Sequence, residues 1–230
     1  MSRWLPCRDF VFMQQHFSKH QVQTLLQKLK SYQDIEMLYL HEKHSLQLVY
    51  QEQKIAQLRL PISIHYQEDR PLNYLLLLVQ TGHAAIGFFE GGENVSHKVL
   101  KSYLVRKKQG MSQLKYLKTK GKSKAGSRVR LGNAIDFFEN INERSTSYLS
   151  EYSVDRIAIS CPKTIWPYLF QSKLTCPFDK KDMRLYKVPF HVNTPKLEEL
   201  MKINRSLQGG LLEIDESHTE IVKDIIGLEV

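Results

Sequence analysis

Apolar residues first recur at helical spacing at Val22, Leu25, Leu26 and Leu29. Ser18 and Gln21 stand before them in the Ser-x-x-Gln form of a capping box, so the pattern predicts one amphipathic helix. Alternation then takes over: Ile35–Leu40, Leu46–Tyr50 and Ile55–Tyr66 mix apolar and polar residues with β-branched and aromatic members, the signature of short antiparallel strands. From Asn73 the apolar runs become continuous. Tyr74–Gln80 (YLLLLVQ), Ala84–Phe89 (AAIGFF) and Val95–Arg106 (VSHKVLKSYLVR) are separated by Thr81-Gly82-His83 and by Glu90-Gly91-Gly92-Glu93-Asn94, both strong turn signals. A three-stranded antiparallel meander follows from that order. Further on, Ala134, Phe138, Ile141, Tyr148, Leu149 and Tyr152 mark one face of a long helix, with Ser127 and Asn133 as alternative caps.

The pattern continues with a buried strand at Arg156–Ser160, a helix over Lys163–Gln171 and a strand at Met183–Val188. A helix then opens at Thr194-Pro195 and runs to Arg205. Three antiparallel strands followed by helix, strand, helix, strand and helix predict a mixed sheet with helices on its faces, because crossover connections turn the later strands parallel to the first. The expected fold class is thus α/β (α+β), similar in topology to the ribonuclease-H-like architecture. The charged run Glu68, Asp69 and Arg70 before Pro71 sets off residues 1–70 as a small N-terminal α+β unit. Residues 71–205 form the main domain, and 206–230 an acidic C-terminal extension in which Ser217 and Glu220 have the form of a second capping box.

Charge changes this picture in one place. Between Glu93 and Asp136 the chain has no acid and twelve Lys and Arg, while the whole chain carries +9, so the remainder is net acidic. A local concentration of cations of this size predicts a polyanionic partner, most simply a nucleic-acid backbone. Gly110, Gly121 and Gly126, with Ser112, Ser123 and Ser127 between them, predict a long basic loop over 107–126. Composition otherwise sets bounds. Hydrophobic residues make up 42% of the chain, enough for an ordinary core, and no apolar run approaches the roughly 18 to 20 residues of a membrane span. Cys7, Cys161 and Cys176 lie far apart without CxxC spacing, as expected in a reducing compartment, and the N-terminus lacks the apolar core of a secretory signal. The expected location is the cytoplasm.

Several candidate chemistries fall away on the residues themselves. Two-metal nuclease chemistry needs carboxylates on the central strands, yet YLLLLVQ has none and Asp155 reads as a turn residue. His16 with His20, and His41 with His44, are spaced as helix-face pairs, but each lacks a third ligand and reads more simply as surface. Cys161, at the end of a strand, reads as a packed thiol. EGGEN joins strand to strand and reads as a hairpin turn, not a phosphate loop. No cofactor is expected. A DNA-binding role lacks a recognition helix of the helix-turn-helix kind.

What remains is QGMSQ, Gln109–Gln113, inside the basic stretch. Gln113 is neutral at every pH and cannot be a general base. Its amide can still donate to and accept from a water or a developing oxyanion. The bare residues leave two alternatives open, a working loop or a plain polar surface loop.

The string HKVLKSYLVRKKQGMSQ followed by SKAGSRVRLGN, His97–Asn133, resembles the Vms-type release-factor domain of the ankyrin-and-zinc-finger peptidyl-tRNA hydrolases of ribosome quality control. That resemblance implies a ribonuclease-H-like domain akin to the catalytic domain of eukaryotic and archaeal class-one release factors, here in a stand-alone bacterial version. It implies Gln113 as the essential glutamine and Gly110 as the loop glycine, with Ser112 between them. It implies His97, Tyr103, Arg106, Lys107, Arg130 and Asn133 as the surrounding motif positions, and with the cations Lys108, Lys115, Lys118, Lys120, Lys122, Lys124 and Arg128 of the basic stretch they make up the expected RNA-binding set. Its implied partners are the large ribosomal subunit and peptidyl-tRNA, with neither membrane nor DNA. Two activities follow from it: hydrolysis of the peptidyl-tRNA ester, or metal-independent cleavage of the tRNA acceptor end. A non-catalytic RNA- or ribosome-binding protein is the alternative.

Overall fold

The computed structural model describes the backbone of residues 12–68, 70–102 and 124–227, and the side chains of the same residues except 12 and 124–134. In chain order the elements are β1 (Phe12–Phe17), α1 (Lys19–Ser31), β2 (Ile35–Leu40), β3 (Ser45–Tyr50), β4 (Gln53–Arg59), β5 (Tyr74–Gln80), β6 (His83–Glu90), β7 (Glu93–Lys101), α2 (Lys124–Glu151), β8 (Arg156–Ser160), α3 (Trp166–Gln171), β9 (Leu185–Lys187), α4 (Leu197–Leu207), β10 (Gly210–Asp215) and α5 (Thr219–Ile226). They divide into two compact units, residues 1–70 with 206–230, and residues 71–205.

The first unit is one antiparallel sheet in the order β1-β10-β4-β3-β2. The capping box forms as its residues dictate: Gln21 N donates to Ser18 Oγ at 3.3 Å and Ser18 N to Gln21 Oε1 at 2.8 Å. Val22, Leu25, Leu26 and Leu29 of α1 then pack with Val222 and Ile226 of α5 over Leu48, Leu58, Leu212 and Ile214. Each such buried side chain contributes roughly 1.5–3 kcal/mol, which stabilises helices too short to persist alone.

Three expectations for this unit are corrected, and one strand is added. β1 shows no alternation in sequence, because its polar residues Gln14, Gln15 and His16 run together. The strand expected over Ile55–Tyr66 stops at Arg59. Pro61 has no N–H to give to a ladder, and Ile64 N turns back onto Pro61 O at 2.9 Å. The acidic segment 206–230 supplies β10, paired to β1 on one side and β4 on the other. Finally, Ser217 does not cap α5: its hydroxyl is engaged by Asp215 Oδ1 at 2.7 Å and His218 Nδ1 at 2.9 Å, and His218 at the N-cap makes no side-chain bond to the helix.

The first histidine pair separates. His16 lies on β1 and His20 on α1. His44 is fully buried, in a left-handed turn with φ 47°. Its Nε2 lies 3.0 Å from Pro61 O, which can only accept, so Nε2 carries the proton and Nδ1 faces the Tyr39 hydroxyl at 2.8 Å. It is a core residue. Among the described residues no group of three or more His, Cys, Asp or Glu is placed to hold a metal ion.

The second unit is a five-stranded mixed sheet in the order β7-β6-β5-β8-β9. β5, β6 and β7 form the antiparallel meander, while β8 runs parallel to β5 and β9 parallel to β8. Numbered within the unit, this is the 3-2-1-4-5 order with strand 2 reversed, the ribonuclease-H-like arrangement. The continuous apolar run of β5 has its cause here, because both faces are covered. Leu75, Leu77 and Val79 meet Phe137, Phe138 and Ile141 of α2 together with Leu169 of α3. On the opposite face the Tyr74 hydroxyl bonds Asn204 of α4, whose amide reaches Gly92 O at 3.0 Å.

α4 also approaches β6 closely. A Cβ on Gly87 would sit 2.9 Å from Leu200 Cδ2. The EGGEN turn is a tight hairpin with Gly91 at φ 56° and Gly92 at φ 114°, the conformation glycine supplies without strain. Helix boundaries move from the expected ones. α2 begins at Lys124, so the last residues of the basic loop expected over 107–126 are helical and neither Ser127 nor Asn133 is its cap. α3 begins at Trp166, after a turn in which Ile165 N bonds Pro162 O at 2.9 Å. α4 begins at Leu197, two residues after Pro195. β9 is shorter than the expected Met183–Val188.

Candidate nucleic-acid interface

The basic stretch enters the structure on β7, an edge strand. A bulge between Phe88 and Phe89 leaves Val95 as the extra residue, since Phe88 pairs Ser96 and Phe89 pairs Asn94. Asn94 bridges it: Nδ2 donates to Phe88 O and Ser96 O, each at 3.2 Å. With Nδ2 committed to two carbonyls, Oδ1 must accept, and it meets His97 Nδ1 at 3.0 Å. His97 therefore donates from Nδ1. Nothing in the sequence spacing marks Asn94 for this part, because the contact exists only once the bulge has formed.

Beyond the bulge, cross-strand register sorts the side chains. Ser96, Lys98 and Leu100 pair Phe88, Ile86 and Ala84 and share the α2 face, whereas His97 and Lys101 pair Gly87 and His83 on the other. Ser96 Oγ lies 3.1 Å from the Tyr148 hydroxyl on α2, and the Tyr152 ring stacks on Phe88 at 4.1 Å. The Arg144 guanidinium stands 5.3 Å from the Tyr148 ring centroid. α2 is thereby locked onto β6 and β7. Ser102 N closes the strand end onto Gly82 O at 2.8 Å.

Of the candidate site residues, His97 is exposed on β7, and Lys124, Arg128, Arg130 and Asn133 lie within the first ten residues of α2. The first turn of that helix has no acid, so its cations and the positive end of the helix dipole carry the same sign. Tyr103, Arg106, Lys107, Lys108, Gly110, Ser112, Gln113, Lys115, Lys118, Lys120 and Lys122 lie outside the described residues. The other candidate groups have structural partners. Asp155 Oδ2 accepts from Asn73 N at 2.8 Å, fixing the start of β8 beside β5. Burial pushes the Cys161 thiol up to about 12 and the Cys176 thiol up to about 11, leaving both as inert thiols at neutral pH.

A mixed sheet flanked by helices, with a cationic segment running from its edge strand into its longest helix, defines the class of domain. The chain belongs to the Bacteroidetes VLRF1 release factor family, whose model matches residues 74–211. It is also similar to the protein named tRNA endonuclease ANKZF1 from Mus musculus, 26% identical over 161 residues, covering 68% of this chain and 21% of the relative. The Homo sapiens protein of that name is 25% identical over 145 residues, covering 61% of this chain and 20% of the relative. The chain thus spans about a fifth of the length of these relatives. A solved structure named Vms1 mitochondrial localization core aligns at 14% identity with a TM-score of 0.42, over 80% of this chain and 90% of that one. Among the described residues no helix is long and apolar enough to cross a membrane.

Proposed function

We propose that this protein is a ribosome-rescue factor that separates a stalled nascent chain from its tRNA by acting at the tRNA acceptor end, with Gln113 as the central residue. Membership of the release-factor family, over a match that includes the whole basic stretch, is the observation that carries this reading. The relatives' name, tRNA endonuclease, favours cleavage of the acceptor end over hydrolysis of the peptidyl ester. In that reaction an oxygen nucleophile, a water or the adjacent ribose 2′-hydroxyl, forms a new bond to phosphorus as a P–O bond of the RNA backbone breaks; its proton ends on the leaving oxygen, and the peptide departs on a short 3′ fragment. Arg106, Lys107, Arg128 and Arg130 offset the charge that builds at phosphorus, while the Gln113 amide and nearby backbone N–H groups hold the reacting oxygens in place. Ester hydrolysis instead leaves the tRNA 3′ end intact, with Gln113 orienting a water. Gly110 permits close backbone approach and Ser112 contributes a hydroxyl beside it.

The cations of β7 and α2 support an RNA partner on physical grounds. Twelve like charges between Glu93 and Asp136 with no acid among them repel one another in the free protein, and a polyanion relieves that repulsion. The large ribosomal subunit and peptidyl-tRNA are the proposed partners, in the cytoplasm. Incubating stalled ribosome–nascent-chain complexes with the parent and with Gln113→Ala tests the proposal. The parent frees peptide and leaves a shortened tRNA, whereas the variant binds and frees little, a loss of about 100-fold or more if the amide acts as an oxyanion-type donor. Release by Gln113→Ala at the parental rate would reduce the protein to a non-catalytic ribosome-binding factor.

A further inference from the structure

Residues 161–187 hold six Lys and Arg against Asp179 and Asp182, although the chain outside the main basic stretch is net acidic. Asp182 is taken up locally: the Arg184 guanidinium meets its two carboxylate oxygens at 3.1 and 2.7 Å. Lys163, Lys173, Lys180 and Lys181 are exposed. A second cationic surface therefore stands on α3 and its flanking loops.

Two features make this surface more than scattered charge. Tyr168 is 55% exposed, and one face of its ring stacks on Phe138 of α2 at 5.6 Å and 17°. More than half of Tyr168 stays accessible among the described residues, so the ring offers an aromatic platform backed by Phe138. The loop around it is also pinned. Asn142 Nδ2 lies 2.8 Å from Leu169 O, 2.7 Å from Ser172 Oγ and 2.8 Å from Leu174 O, so Lys173 stands between two anchored residues. The Lys180 ammonium stands 5.2 Å from the Phe170 ring centroid, and that ring meets Trp166 and Phe178 edge-on.

An open aromatic face among ordered lysines fits an RNA strand with an unpaired base, because the base stacks while the phosphates meet the cations. An acidic protein segment would use the lysines and leave the ring without a flat partner. The helix that backs this surface also carries part of the basic stretch: Phe138 follows Arg130 by eight residues on α2, about 12 Å along the axis at the helical rise. The geometry points to a second tRNA contact here, in which the single-stranded acceptor end lays one base on Tyr168 and its backbone along Lys173, Lys180 and Lys181. This inference rests on the tRNA reading given under the proposed function.

Fluorescence anisotropy with the full chain tests it, using labelled tRNA and the same tRNA trimmed of its unpaired 3′ nucleotides. Tyr168→Ala should weaken binding of intact tRNA by about five- to hundredfold. It should leave binding of trimmed tRNA unchanged, while Tyr168→Phe keeps the parental affinity. Converting Lys180 and Lys181 to Gln should lower the slope of log affinity against log salt by about 1.4 to 1.8. Circular dichroism melts show whether each variant folds. Folded Tyr168→Ala that binds intact tRNA within about twofold of the parent, or that weakens both tRNAs alike, overturns the inference. So does a set of variants that keeps tRNA affinity and loses the large subunit. Gln113→Ala separates the two readings: its retained release activity would sink the proposed function alone, and an unaffected Tyr168→Ala sinks the second contact alone.

Discussion

Replacing Asn142 with alanine removes an amide that ties α2 to the end of α3 and the turn after it. Asn142 is 1% exposed and meets Leu169 O, Ser172 Oγ and Leu174 O within 2.8 Å. Its two N–H groups contribute about 0.5–1.5 kcal/mol each, and a buried carbonyl stripped of its donor costs about 1–3 kcal/mol. Leu174 O keeps the Ser172 hydroxyl at 2.7 Å, so the alanine variant should lose about 2–4 kcal/mol. At a urea slope of about 2 kcal/mol/M the unfolding midpoint falls by roughly 1–2 M. Asn142→Asp sharpens the test, since a carboxylate there faces carbonyl oxygens. The folded state then holds the proton more tightly than the unfolded chain, which raises the folded pKa. Its penalty is absent below the unfolded carboxylate pKa and grows as pH rises through that value, so Asp should be worse than Ala at pH 7 and recover at pH 4. An alanine cost under about 0.5 kcal/mol, or an aspartate no worse than alanine at pH 7, would refute the hydrogen-bond reasoning.

Two further predictions follow from close packing and burial. A Cβ at Gly210 would lie 2.4 Å from Val22 Cγ2, so Gly210→Ala should cost about 1–3 kcal/mol through overpacking between β10 and α1. The thermal melt of that variant should come several degrees below the parent's, and a melt at or above the parent's contradicts the packing. Cys161, with its thiol pushed up to about 12 by burial, should be alkylated slowly in the folded protein at pH 8. Its thiolate fraction there is about a thousandfold below that of a free cysteine. Peptide mapping after iodoacetamide treatment, with and without urea, checks this, and equal labelling in both would show that the thiol is not buried.

Much of the fold was legible where the deciding interaction is local. The Ser18–Gln21 capping box joins residues three apart and forms both of its bonds. β5 and β8 match their apolar runs residue for residue, and the glycines of EGGEN make their hairpin. The misses arise where a distant partner decides, or where a local competitor wins that spacing alone does not reveal. Gly210–Asp215 is an alternating GLLEID, too weak to be read as a strand until β1 and β4 flank it. The β3–β4 hairpin turns on Gln51 and Glu52 at φ 48° and 62°, with neither glycine nor asparagine to signal it. Ser217 and Glu220 have capping-box spacing, yet the nearer Asp215 carboxylate takes the Ser217 hydroxyl first.

The candidate site divides in the same way. Where the cations sit along the chain is a property of the sequence, as is the neutrality of Gln113, and both hold in any conformation. Which face each residue takes is different, because a single bulge at Val95 sets whether Lys98 or His97 faces α2. The chain by itself determined the periodicities and the location of its charge, since those need only neighbours a few residues apart. Only the tertiary structure decided that β10 enters the first sheet and that Tyr168 rests on Phe138. Each of those joins segments far apart in sequence, where burial and register across the whole unit outweigh any local preference.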